Sequence, residues 1–323
     1  MIAKILVTHE IPDKGILMLQ EKYDIEYRKT VGVISKTELI GMLKDKNIVL
    51  SLLSDTFDEE VFRNCPDLKM VSNYAVGFNN IDLKAATRYG VYVTNTPKTL
   101  DETTVDFTFA LMLAVARRVV ESDKFLRSGK FTGWGAMEFL GGEVNRSTLG
   151  IIGLGNIGKS LGRRAYYGFN MKVLYMDKFV REDTLDFPAQ SVNMETLLKE
   201  SDFISLHVPL TDETKHLIGE KELNMMKSTA YLINTSRGPV VHEAALYKVL
   251  KENKIAGAGL DVYEFEPAFH KGLEELDNIV MCPHIASASL NTRQNMSIKA
   301  AQNIIDFVEG RIPEGLVNRE VLK

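Results

Sequence analysis

Short apolar runs alternate with amphipathic stretches along most of the chain. Ile5 to Val7, Ile25 to Tyr27, Ile48 to Leu53, Lys69 to Ser72 and Val91 to Thr94 read as strands. The segments around Ile16 to Glu21, Glu38 to Leu43 and Glu59 to Arg63 between them read as helices. This alternation predicts a βαβ series, and hence a parallel sheet, in the first hundred residues. A second series starts near Thr148, with strands predicted at Gly150 to Ile152, Lys172 to Met176, Phe203 to Leu206, Tyr231 to Ile233, Ala256 to Leu260 and Ile279 to Met281. Six strands with intervening helices make a doubly wound sheet. Between the series, Thr103 to Arg127 carries a helical pattern without proline and is expected as one long helix. Asn291 to Val308 is expected as another, running back to the first domain, so that two linkers side by side would form a hinge.

Composition narrows the class. A length of 323 residues is enough for two domains with separate cores, and 45% apolar with 25% charged residues is ordinary for a globular chain. The net charge of −4, without a basic block, argues against nucleic acid or an anionic membrane as the main partner. The apolar stretch Phe107 to Ala116 is too short to span a bilayer, and the N-terminus enters a strand pattern at once, with no signal-peptide layout. Only Cys65 and Cys282 are present, far apart in sequence, which points to a reducing cytoplasm. The histidines show no metal-ligand spacing and no cysteine pair supports them, so no metal site is expected.

Three predicted strand ends carry chemistry. Arg237 lies in Asn234-Thr235-Ser236-Arg237-Gly238 after the run Ala230 to Ile233; Glu266 follows the run Ile255 to Leu260; His284 follows Asn278 to Pro283. Singly, each reads more readily as a surface charge or a satisfied histidine. Together they supply a cation, a carboxylate and an imidazole, the set needed to hold an anionic substrate and move one proton.

Gly153-Leu154-Gly155-Asn156-Ile157-Gly158 follows a predicted strand and opens a helix, the context a dinucleotide fingerprint requires. The first glycine permits the tight turn, the second lets a pyrophosphate approach the backbone, and the third lets helix and strand pack closely. The helix N-terminus then offers free N–H groups to phosphates. Asp177 ends the next strand, nineteen positions after Gly158, where a carboxylate accepts hydrogen bonds from ribose hydroxyls and repels a 2′-phosphate. Gly153 to Ser160 also satisfies the phosphate-loop pattern of nucleoside triphosphatases. Gly155 and Asp177 are required by the dinucleotide reading and unexplained by that one.

Asn73-Tyr74-Ala75-Val76-Gly77-Phe78-Asn79-Asn80-Ile81-Asp82, Thr94-Asn95-Thr96-Pro97, the glycine fingerprint and Pro283-His284-Ile285-Ala286-Ser287 resemble the D-isomer-specific 2-hydroxyacid dehydrogenases over nearly the whole chain. The Asn-Tyr-Ala-Val-Gly loop, Asp123-Lys124-Phe125 and Phe139-Leu140-Gly141 look most like the glyoxylate and hydroxypyruvate reductase branch. Ala286 to Ser289 depart from the family, where glycine and threonine are more usual.

The resemblance implies a two-domain α/β fold: an NAD-binding Rossmann domain over 101–290, inserted into a flavodoxin-like substrate domain formed by 1–100 and 291–323, with the site in the cleft. It implies that Arg237 binds the substrate carboxylate and polarises the keto oxygen, that His284 exchanges a proton with that oxygen, and that Glu266 holds the imidazole, fixing its tautomer and raising its pKa. Leu53, Tyr74, Val76 and Gly77 would form the substrate pocket, the last two through backbone N–H groups. Gly153, Gly155, Asn156, Ile157, Gly158, Asp177, His207, Val208, Pro209, Thr104, Thr235, Ser236 and Asp261 would hold the cofactor, with Asp261 on the nicotinamide carboxamide. Asp177 favours NAD, and NADH in reduction, over NADP, although Lys178 and Arg181 nearby would soften that preference. The segment Ser128 to Arg146 would belong to a homodimer interface. The expected reaction is NADH-dependent reduction of glyoxylate or hydroxypyruvate to the D-2-hydroxy acid. D-3-Phosphoglycerate oxidation is the rival within the class, and an NADH-sensing regulatory protein without turnover the rival outside it.

Overall fold

The computed structural model describes residues 2–180 and 182–323. The chain divides into two compact units, one of residues 1–100 and 288–323 and the other of residues 101–287.

The first unit alternates strand and helix: β1 (Ile5–His9), α1 (Asp13–Gln20), β2 (Ile25–Thr30), α2 (Lys36–Leu43), β3 (Ile48–Ser51), α3 (Glu59–Asn64), β4 (Met70–Asn73), α4 (Leu83–Arg88) and β5 (Tyr92–Thr94). The strands pair in parallel in the order β2-β1-β3-β4-β5, the flavodoxin-like arrangement. β1, β3 and β4 are buried along their whole length, which is why they read as continuous apolar runs rather than alternating ones. α4 is short, with only Ala85 and Ala86 fully buried, and the apolar pattern did not announce it. Side-chain oxygens cap α2, α3 and α4: Ser35 accepts from Glu38 N at 3.3 Å, Asp58 from Val61 N at 3.1 Å and Asp82 from Ala85 N at 2.9 Å.

The second unit begins with α5 (Asp101–Ala116) and α6 (Val119–Arg127). A single helix over Thr103 to Arg127 is therefore not what forms. Arg118 adopts a left-handed φ of 52°, and the Ala116 carbonyl accepts from Gly142 N at 2.9 Å instead of continuing the helix. The Arg118 guanidinium then grips Glu121 through two hydrogen bonds of 2.7 Å. The apolar pattern runs across this break, and the residue that ends the helix comes from a segment far along the chain. The unit continues through β6 (Thr148–Ile152), α7 (Asn156–Phe169), β7 (Lys172–Met176), β8 (Gln190–Ser191), α8 (Met194–Glu200), β9 (Phe203–Leu206), α9 (Glu220–Leu223), β10 (Tyr231–Asn234), α10 (Glu243–Lys251), β11 (Gly257–Leu260) and β12 (Ile279–Met281).

Its sheet is parallel, in the order β12-β11-β10-β9-β6-β7-β8, and holds seven strands rather than six. The additional strand, β8, is two exposed residues at the sheet edge, too short to carry a periodic signal. Strand order reverses between β6 and β9, the switch point at which doubly wound folds bind dinucleotides beyond the carboxyl ends of the strands. After this unit the chain returns to the first as α11 (Leu290–Val308), which packs on α1, β3 and β4. The tail then lays Leu316 antiparallel beside Thr94, with Val317 N donating to Val93 O at 2.8 Å.

No helix among the described residues is long and apolar enough to cross a membrane. Cys65 and Cys282 are free thiols.

The contact between α1 and α11 depends on Gly15, where a Cβ would fall 2.2 Å from the Ser297 carbonyl oxygen. Gly15→Ala should cost about 1–3 kcal/mol by overpacking and lower the melting temperature by about 3 °C or more. Calorimetry of the variant checks this, and an unchanged transition would mean that the two helices do not meet in this register.

Candidate active site

Every predicted site residue of the second unit that follows a strand lies beyond a carboxyl end of its sheet. At β6 the backbone turns through Gly153 with φ 92°, where a Cβ would press to 2.8 Å on the His207 carbonyl carbon and oxygen. Gly155 precedes α7 with open space where a side chain would stand and no side-chain cap. At Gly158 a Cβ would come within 2.3 Å of the Gly153 carbonyl oxygen. The three glycines thus meet three separate demands: turn, open approach and close packing. Asn156 and Ile157 form the first turn of α7, whose unbonded N–H groups face where phosphates are expected.

Asp177, just past β7, accepts from Leu154 N at 2.7 Å, Phe179 N at 2.8 Å and Val180 N at 3.0 Å. Burial raises its carboxyl pKa, but these donors outweigh burial and the net shift is downward, so it is a carboxylate at neutral pH. Lys178 is drawn away to Glu213 at 2.5 Å. Arg181 lies outside the described residues. The phosphate-loop alternative loses its metal-binding hydroxyl: Ser160 Oγ donates to Glu102 Oε1 on α5 at 2.7 Å. Past β9, Val208 and Pro209 are at least partly exposed, while His207 Nε2 is tied to Ser205 Oγ at 2.8 Å. Burial pushes the His207 imidazole down to about 4, so it is neutral.

Beyond β10, Asn234 acts as the template of the loop that carries Arg237. Its Oδ1 accepts from Ser236 N at 3.0 Å and Ser236 Oγ at 2.9 Å, and its Nδ2 donates to Arg237 O at 3.0 Å. Thr235 is buried against Thr108, with hydroxyl oxygens 3.1 Å apart, and Thr108 in turn donates to the carbonyl of buried Thr104. Gly238 lies directly on the next loop, where a Cβ would sit 1.8 Å from Tyr263 C and O. This contact brings the Arg237 loop and the Glu266 loop together.

Glu266 and His284 meet. His284 Nδ1 lies 3.0 Å from Glu266 Oε2, and Glu266 Oε1 accepts from Tyr263 N at 3.0 Å. Burial pushes the Glu266 carboxyl up, but the hydrogen bond and charge of His284, the Tyr263 N–H and the Arg237 charge outweigh it, and the net shift is downward. Desolvation lowers the Arg237 pKa, with Glu266 opposing, so the two groups sense each other across the site. The pair is only partly shielded, the side chains being 33% and 38% exposed.

Asp261 turns out to do something the sequence did not suggest. It is fully buried, and its Oδ1 and Oδ2 accept from Ile285 N at 2.8 Å and Ala286 N at 2.7 Å. Its carbonyl accepts from His284 N at 2.8 Å. Through these bonds Asp261 anchors the turn that presents His284. Burial raises its carboxyl pKa against the two N–H donors. Tyr263 adds a second tie, its hydroxyl donating to Cys282 O at 2.9 Å.

In the first unit, Tyr74 is buried, with its hydroxyl donating to Arg293 O at 2.6 Å and burial pushing its pKa up to about 12. Leu53, Val76 and Gly77 are half-buried on loops after β3 and β4. Between α6 and β6, residues 128–146 form no helix or strand, and Trp134 is 86% exposed.

Residues 109–286 match the family description "D-isomer specific 2-hydroxyacid dehydrogenase, NAD binding domain". A glyoxylate reductase of Korarchaeum cryptofilum is 51% identical over 99% of this chain and 97% of its own. The chain belongs to the D-isomer-specific 2-hydroxyacid dehydrogenases. A glyoxylate reductase of Thermococcus litoralis shares 48% identity over 99% of this chain and 98% of its own. Among solved structures of similar fold is a glyoxylate reductase from Paecilomyes thermophila, with a TM-score of 0.85 and 29% identity, covering 97% of this chain and 98% of that one. Another is the NADPH-dependent glyoxylate/hydroxypyruvate reductase of Sinorhizobium meliloti in complex with NADP and malonate, with a TM-score of 0.88 and 27% identity, covering 99% and 98%. The family resemblance and the Rossmann and flavodoxin-like fold class expected from the sequence are therefore borne out. This dehydrogenase carries a dinucleotide-binding domain, and the residues around β6 and β7 fit such a cofactor.

Gly238→Ala tests the seating of the Arg237 loop on the Glu266 loop. A displacement of about 1 Å at a reacting group costs on the order of a hundredfold in rate, and kcat/KM of the folded variant should fall by at least about that factor. Retention of near-normal kcat/KM would show that the loops tolerate separation.

Proposed function

We propose that this dehydrogenase reduces a small 2-oxo acid, glyoxylate or hydroxypyruvate first, to the D-2-hydroxy acid with NADH. The observation that carries the reading is the 3.0 Å contact of His284 Nδ1 with Glu266 Oε2, with Arg237 close enough to bias the same carboxylate. Bound NADH supplies a hydride to the keto carbon. The chain's residues supply everything else. Glu266, ionised at neutral pH, accepts a hydrogen bond from the Nδ1–H of His284 and leaves Nε2 to deliver a proton to the keto oxygen. Arg237 offers parallel donors to the substrate carboxylate and polarises the keto group. In the first unit, the backbone N–H groups of Val76 and Gly77 take the acid, with Leu53 and Tyr74 shaping the pocket. Support for NADH over NADPH comes from Asp177, a carboxylate that would repel a 2′-phosphate, and from Lys178, which is held by Glu213.

Turnover of glyoxylate and hydroxypyruvate, each with NADH and NADPH, tests the proposal. Binding of reduced cofactor without its oxidation by any 2-oxo acid would favour a nucleotide-sensing protein instead. In His284→Ala, kcat should fall by at least about a hundredfold while the Kd for NADH stays within about threefold; near-normal turnover would remove the proton-transfer role. Glu266→Gln deletes the anion beside the imidazole, so the pH at which reduction falls off should move downward. An unmoved pH profile would count against the pairing.

A further inference from the structure

The loop after β4 leaves three successive amides, those of Val76, Gly77 and Phe78, without a hydrogen-bond acceptor among the described residues. Each belongs to a peptide plane whose carbonyl is held. The Ala75 carbonyl accepts from Thr96 N at 2.8 Å, the Val76 carbonyl from Asn95 Nδ2 at 2.8 Å, and the Gly77 carbonyl from Asn73 Nδ2 at 2.9 Å. In a trans peptide the C=O and the N–H of one plane point in opposite directions. A donor fixed on the carbonyl therefore sets the direction of the N–H on the other side. Asn95 on Val76 O aims the Gly77 amide; Thr96 on Ala75 O aims the Val76 amide.

Asn95 is itself held rigidly. Its N–H donates to Gly315 O at 3.0 Å, its carbonyl accepts from Asn303 Nδ2 at 2.9 Å, and Asn303 Oδ1 accepts from Gly315 N at 3.2 Å. Asn303 is buried on α11, and a Cβ on Gly315 would fall 2.3 Å from the Asn95 carbonyl oxygen, so the tail lies tight on this residue. Asn73 is likewise fixed, its amide side chain facing that of buried Asn80, which donates to Asp55 O at 2.9 Å.

We propose that Asn95 is a positioning residue for substrate binding: by holding the Val76 carbonyl it aims the Gly77 N–H at the carboxylate of the 2-oxo acid. This rests on the reading of the Val76 and Gly77 amides as carboxylate donors. Because the interaction acts on recognition of the acid and not on proton or hydride movement, its loss appears in KM and leaves kcat and cofactor binding alone. Loss of a merely structural asparagine would lower kcat and weaken cofactor binding as well.

Asn95→Asp replaces the donor by an acceptor of the same shape, repelled by both the Val76 carbonyl and an incoming carboxylate. The KM for glyoxylate should rise about tenfold or more, with kcat within about threefold and the Kd for NADH unchanged. Asn95→Ala, which only removes the donor, should raise KM by a smaller factor, about fivefold, and serves if the aspartate variant does not fold. Calorimetric binding of oxalate to the NADH complex reports on the amides without turnover, so it separates this proposal from the reductase reading. Wild-type binding that weakens in both variants supports the proposal even if no 2-oxo acid is turned over. Unchanged KM and oxalate affinity in both variants, a joint fall in kcat and NADH affinity, or no oxalate binding by the wild-type chain would overturn it.

Discussion

The placement of the imidazole depends on Asp261 more than on any other residue. His284 takes a left-handed φ of 55°, a conformation that costs a β-carbon-bearing residue on the order of 1 kcal/mol or more and persists only where its surroundings enforce it. Asp261 enforces it from one position. Its carbonyl holds His284 N, and its two carboxylate oxygens hold Ile285 N and Ala286 N. A buried carboxylate with no partner would be costly, and the Ile285 and Ala286 amides would lose their acceptor. Each satisfies the other, and the outcome is a His284 side chain directed at Glu266.

Around that turn, neighbouring strand ends are tied to one another rather than left as independent loops. Gly238 seats the Arg237 loop on Tyr263, Glu266 takes Tyr263 N, and Tyr263 in turn reaches Cys282 O. Asn234 shapes the Arg237 loop from within. Behind them, buried Glu243 accepts from Glu264 N and from His270 N, both at 2.6 Å, so the loop bearing Glu266 is held on its far side as well. The electrostatics follow from this arrangement. His284 and Arg237 hold the Glu266 carboxyl below its ordinary value against burial, and Glu266 opposes the desolvation of Arg237.

Where the sequence signal was strong, one physical demand dominated one segment. Fully buried parallel strands leave continuous apolar runs, and β1, β3, β4, β6 and β9 were legible for that reason. The glycine fingerprint was legible because a positive φ, an open approach and a close packing contact each exclude a side chain at a fixed spacing. Where the signal failed, the deciding partner was distant. α5 and α6 separate at Arg118 because Gly142 takes the Ala116 carbonyl, and no residue within the apolar pattern marks that end. β8 exists only because β7 offers it an edge.

The order of elements, the two parallel sheets, the dinucleotide turn and the identities of Arg237, Glu266 and His284 were determined by the linear sequence, because hydrophobic period and glycine spacing act locally. The partners of those groups were decided only on folding. Asp261 looks in sequence like one more strand-end carboxylate available to a ligand, and Asn95 like one polar residue in a turn. Their hydrogen bonds to Ile285, Ala286 and Val76 join residues far apart along the chain, and a backbone amide carries no residue-specific mark by which such a partner could be foreseen.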